Sequence, residues 1–438
     1  MRPIVFLHGY GGGPRAFDAW RARLAALGLR DDHAVHYRTQ SDDVSLFDLA
    51  EGFERALAAQ PGLGSGRPFD AVVHSTGVLV LRAWLAARPL RRARLGRLIA
   101  LAPATFGSPL AHLGRGMLGA LFAGDRAAGP DFLEAGDRIL AALELGSAEA
   151  WRLAGQPLPP GLVACGTDGF AFPARLAHPD GSDGVVRLAG CEPDAPETVV
   201  DLRRDVGGVP RVRAVGPRPD PTPLVPVVGR NHATLLTDPP GWLVDLAARV
   251  LTDEGRDEAA LARRIARRAS VERTRAGRAG VPLDRRQWLV RVEDDRGQAV
   301  PDYYLDPLVR PAGAHRWRPL RVARPEARFD VHVHRDDPSR RCFHLDAGAA
   351  LAPGTRLALR LLAESGSDRV GYAGHRERLD VEEPAPAPAR WTAVAEVDPA
   401  HLQAATVRLR LRLDRAPLPL DGPSRLVAFP PRGVRSPA

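Results

Sequence analysis

The stretch Phe69-Asp70-Ala71-Val72-Val73-His74-Ser75-Thr76-Gly77-Val78-Leu79-Val80-Leu81 is typical of a buried strand that ends at a serine and continues as a helix. A sharp strand-to-helix turn presents a serine hydroxyl to a neighbouring base, and Gly77 supplies the room that such a turn needs. The pattern is G-x-S-x-G with Val73 in place of the first glycine, and a β-branched residue fits a tight turn less well. The stretch predicts a nucleophilic Ser75, with an ordinary strand–turn–helix as the alternative.

Around this stretch, apolar runs typical of strands alternate with segments of helical spacing. The predicted elements are a strand at 3–7, a helix at 14–27, a strand at 33–37, a helix at 44–59, the strand and helix on either side of Ser75, and a strand at 95–102. This alternation predicts a parallel sheet covered by helices on both faces. The glycine-rich segment His8-Gly9-Tyr10-Gly11-Gly12-Gly13 follows the first strand. It therefore lies at the carboxyl edge of the sheet, where α/β folds bind ligands.

Residues 103–160 interrupt the alternation with a segment rich in glycine and leucine. An insertion of this length is usually functional, and short amphipathic helices with glycine hinges suit a lid over a site. We predict a helical lid here, and a fixed cap that only packs is the alternative. Strands are predicted again at 162–167, 212–215 and 225–228, and a helix at 240–251 closes the domain.

Composition limits the classes of partner. The chain has 438 residues, enough for two or three domains, and a formal net charge of +9. All 61 of its lysine and arginine residues are arginine, which indicates a coding bias, and no basic patch is interleaved with aromatic residues. We therefore expect no nucleic-acid partner.

The cysteines and the hydropathy pattern bear on location. Cys165, Cys191 and Cys342 are too few and too scattered for a disulfide framework or a cysteine zinc site, and they fit a reducing compartment. No run approaches the ~18 apolar residues of a membrane span. The first predicted strand begins almost at Met1, which leaves no space for a signal peptide. The expectation is a soluble cytoplasmic protein, with non-classical export left open.

Three polar residues next to predicted strands follow one another along the chain in the order serine, aspartate, histidine. Ser75 ends one strand, Asp183 lies in the turn at 179–186, and His232 follows the strand at 225–228. An acyl-transfer site needs a nucleophile, an imidazole that takes and returns its proton, and a carboxylate that orients the imidazole. The order serine, acid, histidine is the one found on successive strand ends of an α/β-hydrolase sheet.

Residues 1 to about 250 resemble an α/β-hydrolase of the lipase and esterase type. The resemblance rests on His8-Gly9-Tyr10-Gly11, Val73-His74-Ser75-Thr76-Gly77, Ser182-Asp183-Gly184-Val185-Val186 and Asn231-His232-Ala233-Thr234-Leu235. It implies Ser75 as the nucleophile, His232 as general base and then acid, and Asp183 as the residue that orients it. It also implies an oxyanion hole formed by the backbone N–H groups of Tyr10 and Thr76. We expect no cofactor and no metal in the site.

Other residues compete for these roles. Asp168 directly follows the strand at 162–167 and is the alternative to Asp183 as the acid. His8 and His74 flank the predicted site and are expected to shape the pocket. Ser108 lacks the strand that a nucleophile turn needs, and Cys165 lies within an apolar run as a small core residue.

Residues 253–284 are predicted to form a charged helical linker. Acidic residues lead and basic residues follow, which complements a helix dipole: Asp253, Glu254, Asp257 and Glu258, then Arg263, Arg264, Arg267 and Arg268. A solvated connecting helix is the simplest interpretation, and a membrane-surface role for its arginines is the alternative.

From 285 to 438 the hydrophobic period changes to two, which predicts a separate β-sandwich domain. Asp330, His332 and His334 would share one face of a strand, with His344 near in sequence. This spacing could offer a metal site, and an exposed polar face explains it equally well.

Together these patterns predict a serine-dependent carboxylic ester hydrolase that acts through an acyl-enzyme on lipid or other apolar acyl esters, as lipases and phospholipases do. Two alternatives stay open: an acyltransferase that uses the same residues, and a non-catalytic, hydrolase-like binding protein. The expected partners are an ester substrate and, transiently, a membrane surface.

Overall fold

The computed structural model describes residues 1–10, 12–13, 15–37, 43–64, 66–111, 137–170, 181–204, 211–215, 222–253, 257–283, 285–320, 331–346, 354–382, 391–402 and 404–420. The chain divides into two compact units. The first comprises Met1–Ala195 and Pro217–Gln287, and the second comprises Pro196–Gly216 and Trp288–Ala438.

The strands of the structure are, in chain order, β1 (Ile4–Leu7), β2 (Asp32–Val35), β3 (Phe69–His74), β4 (Leu95–Leu101), β5 (Gly161–Gly166), β6 (Glu197–Asp201), β7 (Arg211–Val215), β8 (Leu224–Val227), β9 (Arg285–Asp294), β10 (Asp302–Arg310), β11 (Arg318–Pro319), β12 (Val331–Val333), β13 (Arg340–Asp346), β14 (Arg356–Glu364), β15 (Val370–Ala373), β16 (Ala393–Val397) and β17 (Thr406–Pro417). The α-helices are α1 (Asp18–Ala26), α2 (Leu46–Ala59), α3 (Gly77–Ala87), α4 (Asp137–Leu143), α5 (Ala148–Leu153), α6 (Thr234–Thr237), α7 (Gly241–Thr252) and α8 (Glu258–Arg278).

The first unit is built on a parallel sheet in the order β2-β1-β3-β4-β5-β8. β1 and β3 are buried along their whole length, which explains their continuous apolar sequences. β3, which leads into Ser75, lies in the middle of the sheet between β1 and β4. The predicted α/β sheet is confirmed, and its carboxyl edge collects the loops after β1, β3, β5 and β8.

The helices pack on this sheet through the apolar positions of their sequences. α2 begins with a capping box, in which Ser45 Oγ accepts from the backbone N–H of Asp48 and the Asp48 carboxylate accepts from that of Ser45. Phe53 of α2 and Trp84 of α3 pack against Phe69 at the start of β3. α3 is buried from Gly77 to Leu85, so the helix after Ser75 is held firmly in the core.

Part of the predicted lid at 103–160 is described, and that part is packed. Ile139 and Leu143 of α4 and Leu153 of α5 belong to the same core as the parallel sheet. The backbone N–H of Ser108 donates to the carbonyl of Leu143 at 2.7 Å. Residues 112–136, with the apolar side chains Leu113, Met117, Leu118, Leu121, Phe122, Phe132 and Leu133, lie outside the described residues. The lid stays a prediction.

The second unit contains two sheets that share one hydrophobic core, which confirms the predicted β-rich domain. One sheet has the order β11-β10-β14-β16, and the other has the order β12-β13-β9-β17-β6-β7 with β15 paired to β17. Leu305 and Leu359 of the first sheet and Val290 and Leu411 of the second lie in the same core cluster.

The two units divide the chain differently from the predicted domains at two segments. Residues 212–215 are predicted as part of the hydrolase domain, whereas β7 pairs with β6, and β6 runs parallel to β17 in the second unit. The predicted linker at 253–284 belongs to the first unit, because Ile265 and Ala269 of α8 are buried in its core. Among the described helices, none combines the length and the apolar character needed to cross a bilayer.

Candidate active site

Ser75 occupies a strained turn between β3 and α3. Its φ angle is +53°, a left-handed conformation that residues other than glycine rarely adopt. The turn is held by backbone hydrogen bonds on both sides: the N–H of Ser75 donates to the carbonyl of Leu101 at 3.1 Å, and the N–H of Ala104 donates to the carbonyl of Ser75 at 3.2 Å. The backbone strain expected of a nucleophile turn is therefore present at Ser75.

The departure from the glycine pattern has a simple structural explanation. Val73 lies inside β3, pairs with Leu7 and Ala100, and is fully buried, so it is a strand residue and not part of the tight turn. Gly77 is where space is short, because a Cβ atom there would lie 2.6 Å from the carbonyl oxygen of Leu7.

The loop after β1 packs directly against the turn. A Cβ atom on Gly9 would lie 2.5 Å from the Cβ of Ser75. The next residue, Tyr10, donates its backbone N–H to Oγ1 of Thr76 at 3.4 Å. The structure thus brings together the two residues expected to supply oxyanion donors, at the N-terminus of α3, where the helix dipole favours negative charge.

Asp183 and His232 form a buried pair. The Nδ1 of His232 lies 2.7 Å from Oδ2 of Asp183, and the two side chains are 1% and 0% exposed. The other carboxylate oxygen of Asp183 accepts the backbone N–H groups of Val185 at 3.0 Å and Val186 at 2.9 Å. A histidine that donates from Nδ1 carries its lone pair on Nε2, which is the tautomer that a general base needs.

The backbone reinforces this pair. The N–H of His232 donates to the carbonyl of Asp183 at 2.9 Å, so the loop after β8 is tied to the turn that carries the acid. Ser108 adds a further tie, because its hydroxyl donates to the carbonyl of Val185 at 2.6 Å. Sequence reasoning missed this role for Ser108, since nothing in the local pattern indicates which distant turn it supports.

His74 connects the histidine loop to the strand that carries Ser75. Its Nε2 lies 3.2 Å from the carbonyl oxygen of His232, so this nitrogen carries the proton, and the two rings are 4.4 Å apart. Burial, and then the neighbouring imidazole of His232, hold the pKa of His74 well below its usual range. The neutral imidazole of His74, the residue before Ser75, thus contacts the loop of His232.

The alternative acid, Asp168, lies elsewhere. It is exposed, and its Oδ1 accepts from Oγ1 of Thr167 at 2.9 Å and from the backbone N–H of Gly229 at 3.1 Å. Its bonds therefore organise the loops after β5 and β8, whereas the carboxylate that meets His232 is Asp183.

A thiol also contacts the acid. The Sγ of Cys165 lies 3.8 Å from Oδ2 of Asp183, a distance at which the thiol acts as a weak donor. Burial raises the pKa of Cys165 well above its usual value and also raises that of Cys191, and the three cysteines are buried outside any disulfide. Cys165 is the core residue expected from the sequence, with this additional contact.

Three of the four residues of the hypothetical metal site in the second unit, His332, His334 and His344, lie within the described ranges. Nδ1 of His334 accepts the backbone N–H groups of Asp336 at 3.3 Å and Asp337 at 3.2 Å, which explains the histidine as a turn-stabilising residue. Asp330 lies outside the described residues. Within the described ranges, no group of three histidine, cysteine, aspartate or glutamate side chains could hold a metal ion.

Known proteins provide a comparison at the level of structure. No protein-family model matches the chain, and no curated protein matches its sequence. The solved structure of phospholipase PlaB from Legionella pneumophila is similar over 94% of this chain and 93% of its own, with a TM-score of 0.71 and 20% identity. The same protein in complex with thio-NAD covers 95% of this chain and 94% of its own, with a TM-score of 0.70 and 20% identity.

A smaller structure is also similar in part: Bacillus licheniformis lipase BlEst2 covers 56% of this chain and 89% of its own, with a TM-score of 0.39 and 16% identity. The extended similarity to PlaB establishes the fold over both units. The chain has a lipase- and esterase-like α/β-hydrolase fold joined to a β-rich unit.

Proposed function

We propose that this chain, with its lipase- and esterase-like α/β-hydrolase fold, is a serine-dependent carboxylic ester hydrolase that acts through an acyl-enzyme. The observation that carries the proposal is the buried Asp183–His232 hydrogen bond of 2.7 Å. It is supported by the contact of His74, the residue before the strained turn of Ser75, with the backbone carbonyl of His232. A buried carboxylate that accepts from an imidazole and is held by two backbone N–H groups is the arrangement that orients an acyl-transfer base.

The proposed mechanism assigns one task to each side chain. The Oγ of Ser75 attacks the ester carbonyl carbon while its proton passes to Nε2 of His232. Asp183 stabilises the imidazolium that forms, and the backbone N–H groups of Tyr10 and Thr76 bind the oxyanion. The protonated imidazole then gives its proton to the leaving alcohol, which leaves Ser75 acylated.

The second half of the reaction uses the same groups. His232 removes a proton from a water molecule, the hydroxide attacks the acyl carbon, and the tetrahedral intermediate collapses to release the carboxylic acid. The proton held by His232 returns to Oγ of Ser75, which restores the enzyme. No cofactor or metal takes part in this scheme.

We propose lipid or other apolar acyl esters as the substrate class. Two observations support it: the apolar insertion at 103–160, and the similarity to PlaB, which is a phospholipase. Phe106 and Leu110 of that insertion are buried close in sequence to Ala104, whose N–H bonds to Ser75. A substrate cavity lined by apolar side chains favours an acyl chain over a polar group.

Purified protein tests the proposal directly. We expect labelling by a fluorophosphonate probe, hydrolysis of p-nitrophenyl esters of graded chain length, and release of fatty acid from phospholipids. Ser75→Ala should abolish the labelling and nearly all turnover while the circular dichroism spectrum stays unchanged. Labelling that persists in Ser75→Ala, or no turnover of any ester by the parent, would contradict the assignment. Product analysis with an added alcohol distinguishes hydrolysis from acyl transfer.

A further inference from the structure

The solvent face of α8 carries a cluster of arginines that the proposed chemistry does not use. The arginine face consists of Arg263, Arg264, Arg267, Arg275 and Arg278, all exposed. At about 100° per residue these positions fall within roughly a third of the helix circumference. The opposite side is buried through Ile265, Ala269, Glu272 and Ala276. The helix is therefore fixed on the first unit by one side and displays positive charge on the other.

The charge of this face is not neutralised within the described part of the protein. The two acidic residues of α8 form ion pairs with arginines outside this face. Glu258 Oε1 lies 3.3 Å from Nη1 of Arg97, and Glu272 Oε1 lies 2.6 Å from Nη2 of Arg268. None of the five side chains of the arginine face forms a hydrogen bond or ion pair with a described residue. The five arginines span residues 263–278, about 22 Å along the helix axis, so their charge forms a stripe.

The neighbours of the stripe favour a lipid surface over a nucleic acid. Val271, 53% exposed, lies among the arginines, and α8 contains no aromatic residue on which a base could stack. Basic side chains around an exposed apolar one are typical of helices that lie on anionic bilayers, where the arginines meet phosphate groups.

The position of α8 relates this face to the proposed site. The segment that follows the helix lies beside the turn that carries the acid, since a Cβ atom on Gly181 would come within 3.3 Å of the carbonyl oxygen of Pro282. At mid-helix, the Arg268 guanidinium stacks 3.8 Å from the ring centroid of Trp242, at the start of α7. The C-terminal end of α8 therefore lies near the turn that carries Asp183.

We propose that the arginine face of α8 docks the protein on anionic phospholipid surfaces. This inference rests on the proposed function, because it identifies the surface on which that site would find lipid esters. Each arginine near an anionic surface contributes roughly fivefold to partitioning, so removal of three should weaken binding by about 10²-fold.

The experiment uses the full chain and two charge-matched variants. One variant, Arg263→Gln/Arg267→Gln/Arg278→Gln, alters the arginine face. The control, Arg55→Gln/Arg88→Gln/Arg249→Gln, removes the same charge from exposed arginines scattered over the first unit. Sedimentation with vesicles of phosphatidylcholine alone, or mixed with phosphatidylglycerol, measures binding. The Ser75→Ala background prevents lipid hydrolysis during the assay.

We expect the parent and the control to bind the mixed vesicles, with affinity that falls as salt is added, and to bind phosphatidylcholine alone weakly. The affinity of the α8 variant for the mixed vesicles should be about 10²-fold lower than that of the parent. With Ser75 restored, it should also lose turnover of mixed vesicles while a soluble p-nitrophenyl ester is hydrolysed as before. Equal losses in both variants, unchanged binding by the α8 variant, or tighter binding to an RNA oligonucleotide than to the vesicles would each overturn the proposal. Failure of the parent to hydrolyse the soluble ester would instead contradict the proposed function.

Discussion

The backbone N–H of Tyr37 donates to Nε2 of His8 over 3.3 Å, and this hydrogen bond determines the tautomer of a buried histidine beside the candidate site. Because Nε2 accepts, the proton of His8 is on Nδ1, where it donates to the carbonyl of Gly9 at 2.7 Å. Nδ1 of His36 supplies a second donor to Nε2 at 2.9 Å, and the ring of Tyr37 stacks on that of His8 with centroids 4.6 Å apart. The imidazole thus ties the loop of Gly9 and Tyr10 to the end of β2.

This network predicts that His8 positions the proposed oxyanion donor. His8→Ala should lower kcat by about 10-fold to 10²-fold with little change in KM, because the loop carrying Tyr10 would lose its anchor. Steady-state kinetics on a p-nitrophenyl ester measure the effect. His36→Ala, which removes only one of the two donors to Nε2, should have a smaller effect. Parent-like kcat in His8→Ala would mean that the loop is held by other contacts.

The same histidine predicts how stability depends on pH. Burial lowers the pKa of His8 from 6.5 to about 4, so between these values the folded state binds fewer protons than the unfolded state. The stabilisation is fully present above about pH 6.5 and is lost as the pH falls toward about 4, by on the order of 3 kcal/mol. His74, whose pKa is also lowered, acts in the same direction. Urea unfolding across this range should show a shallower fall in the free energy of unfolding for His8→Gln than for the parent.

The close approach of Gly9 to Ser75 predicts a strong contrast between two glycines of one loop. A Cβ atom at Gly9 would lie 2.5 Å from the Cβ of Ser75, whereas one at Gly13 would meet nothing within 4 Å. Gly9→Ala should push the loop away from Ser75 and lower kcat by ~10² or more, since the Tyr10 N–H would be displaced. Gly13→Ala should behave as the parent does. Equal activity of the two variants would show that the loop does not form part of the site.

The choice between two carboxylates can be tested with a matched pair of variants. Asp183→Asn should lower kcat by about 10⁴, because an amide at this position no longer selects the tautomer of His232 that accepts a proton. Asp168→Asn should change kcat little, since the Asp168 carboxylate bonds to Thr167 and Gly229, whereas the imidazole of His232 bonds to Asp183. Measuring both variants with one soluble ester settles the assignment, and the reverse order of effects would transfer the role to Asp168.

Much of the first unit was predictable because its signals are local. The apolar runs at 4–7, 69–74 and 95–101 indicate buried parallel strands, and the serine at the end of β3 indicates the turn. The order of Ser75, Asp183 and His232 along the chain then suggested that they share one edge of the sheet. The β-rich second unit was likewise evident from the period of two after residue 285.

Other features depend on contacts between distant residues. The strand at 211–215 carries the period of a strand, but periodicity does not specify a partner, and only the fold pairs it with β6 beside β17. The charged segment at 253–284 contains the apolar residues Ile265 and Ala269, which pack in the core of the first unit. The sequence does not specify that this helix packs against β8.

By itself, then, the sequence determined which residues could act as nucleophile, base and acid and where strands end, because residue type and hydrophobic period are properties of short segments. Only the tertiary structure decided that Asp183 and not Asp168 meets His232, that His8 connects the loop of Tyr10 to the end of β2, and that α8 packs on the first unit with its arginine face exposed. Those outcomes require segments far apart in the chain to come within a few ångströms, and that proximity is determined by packing of the whole unit.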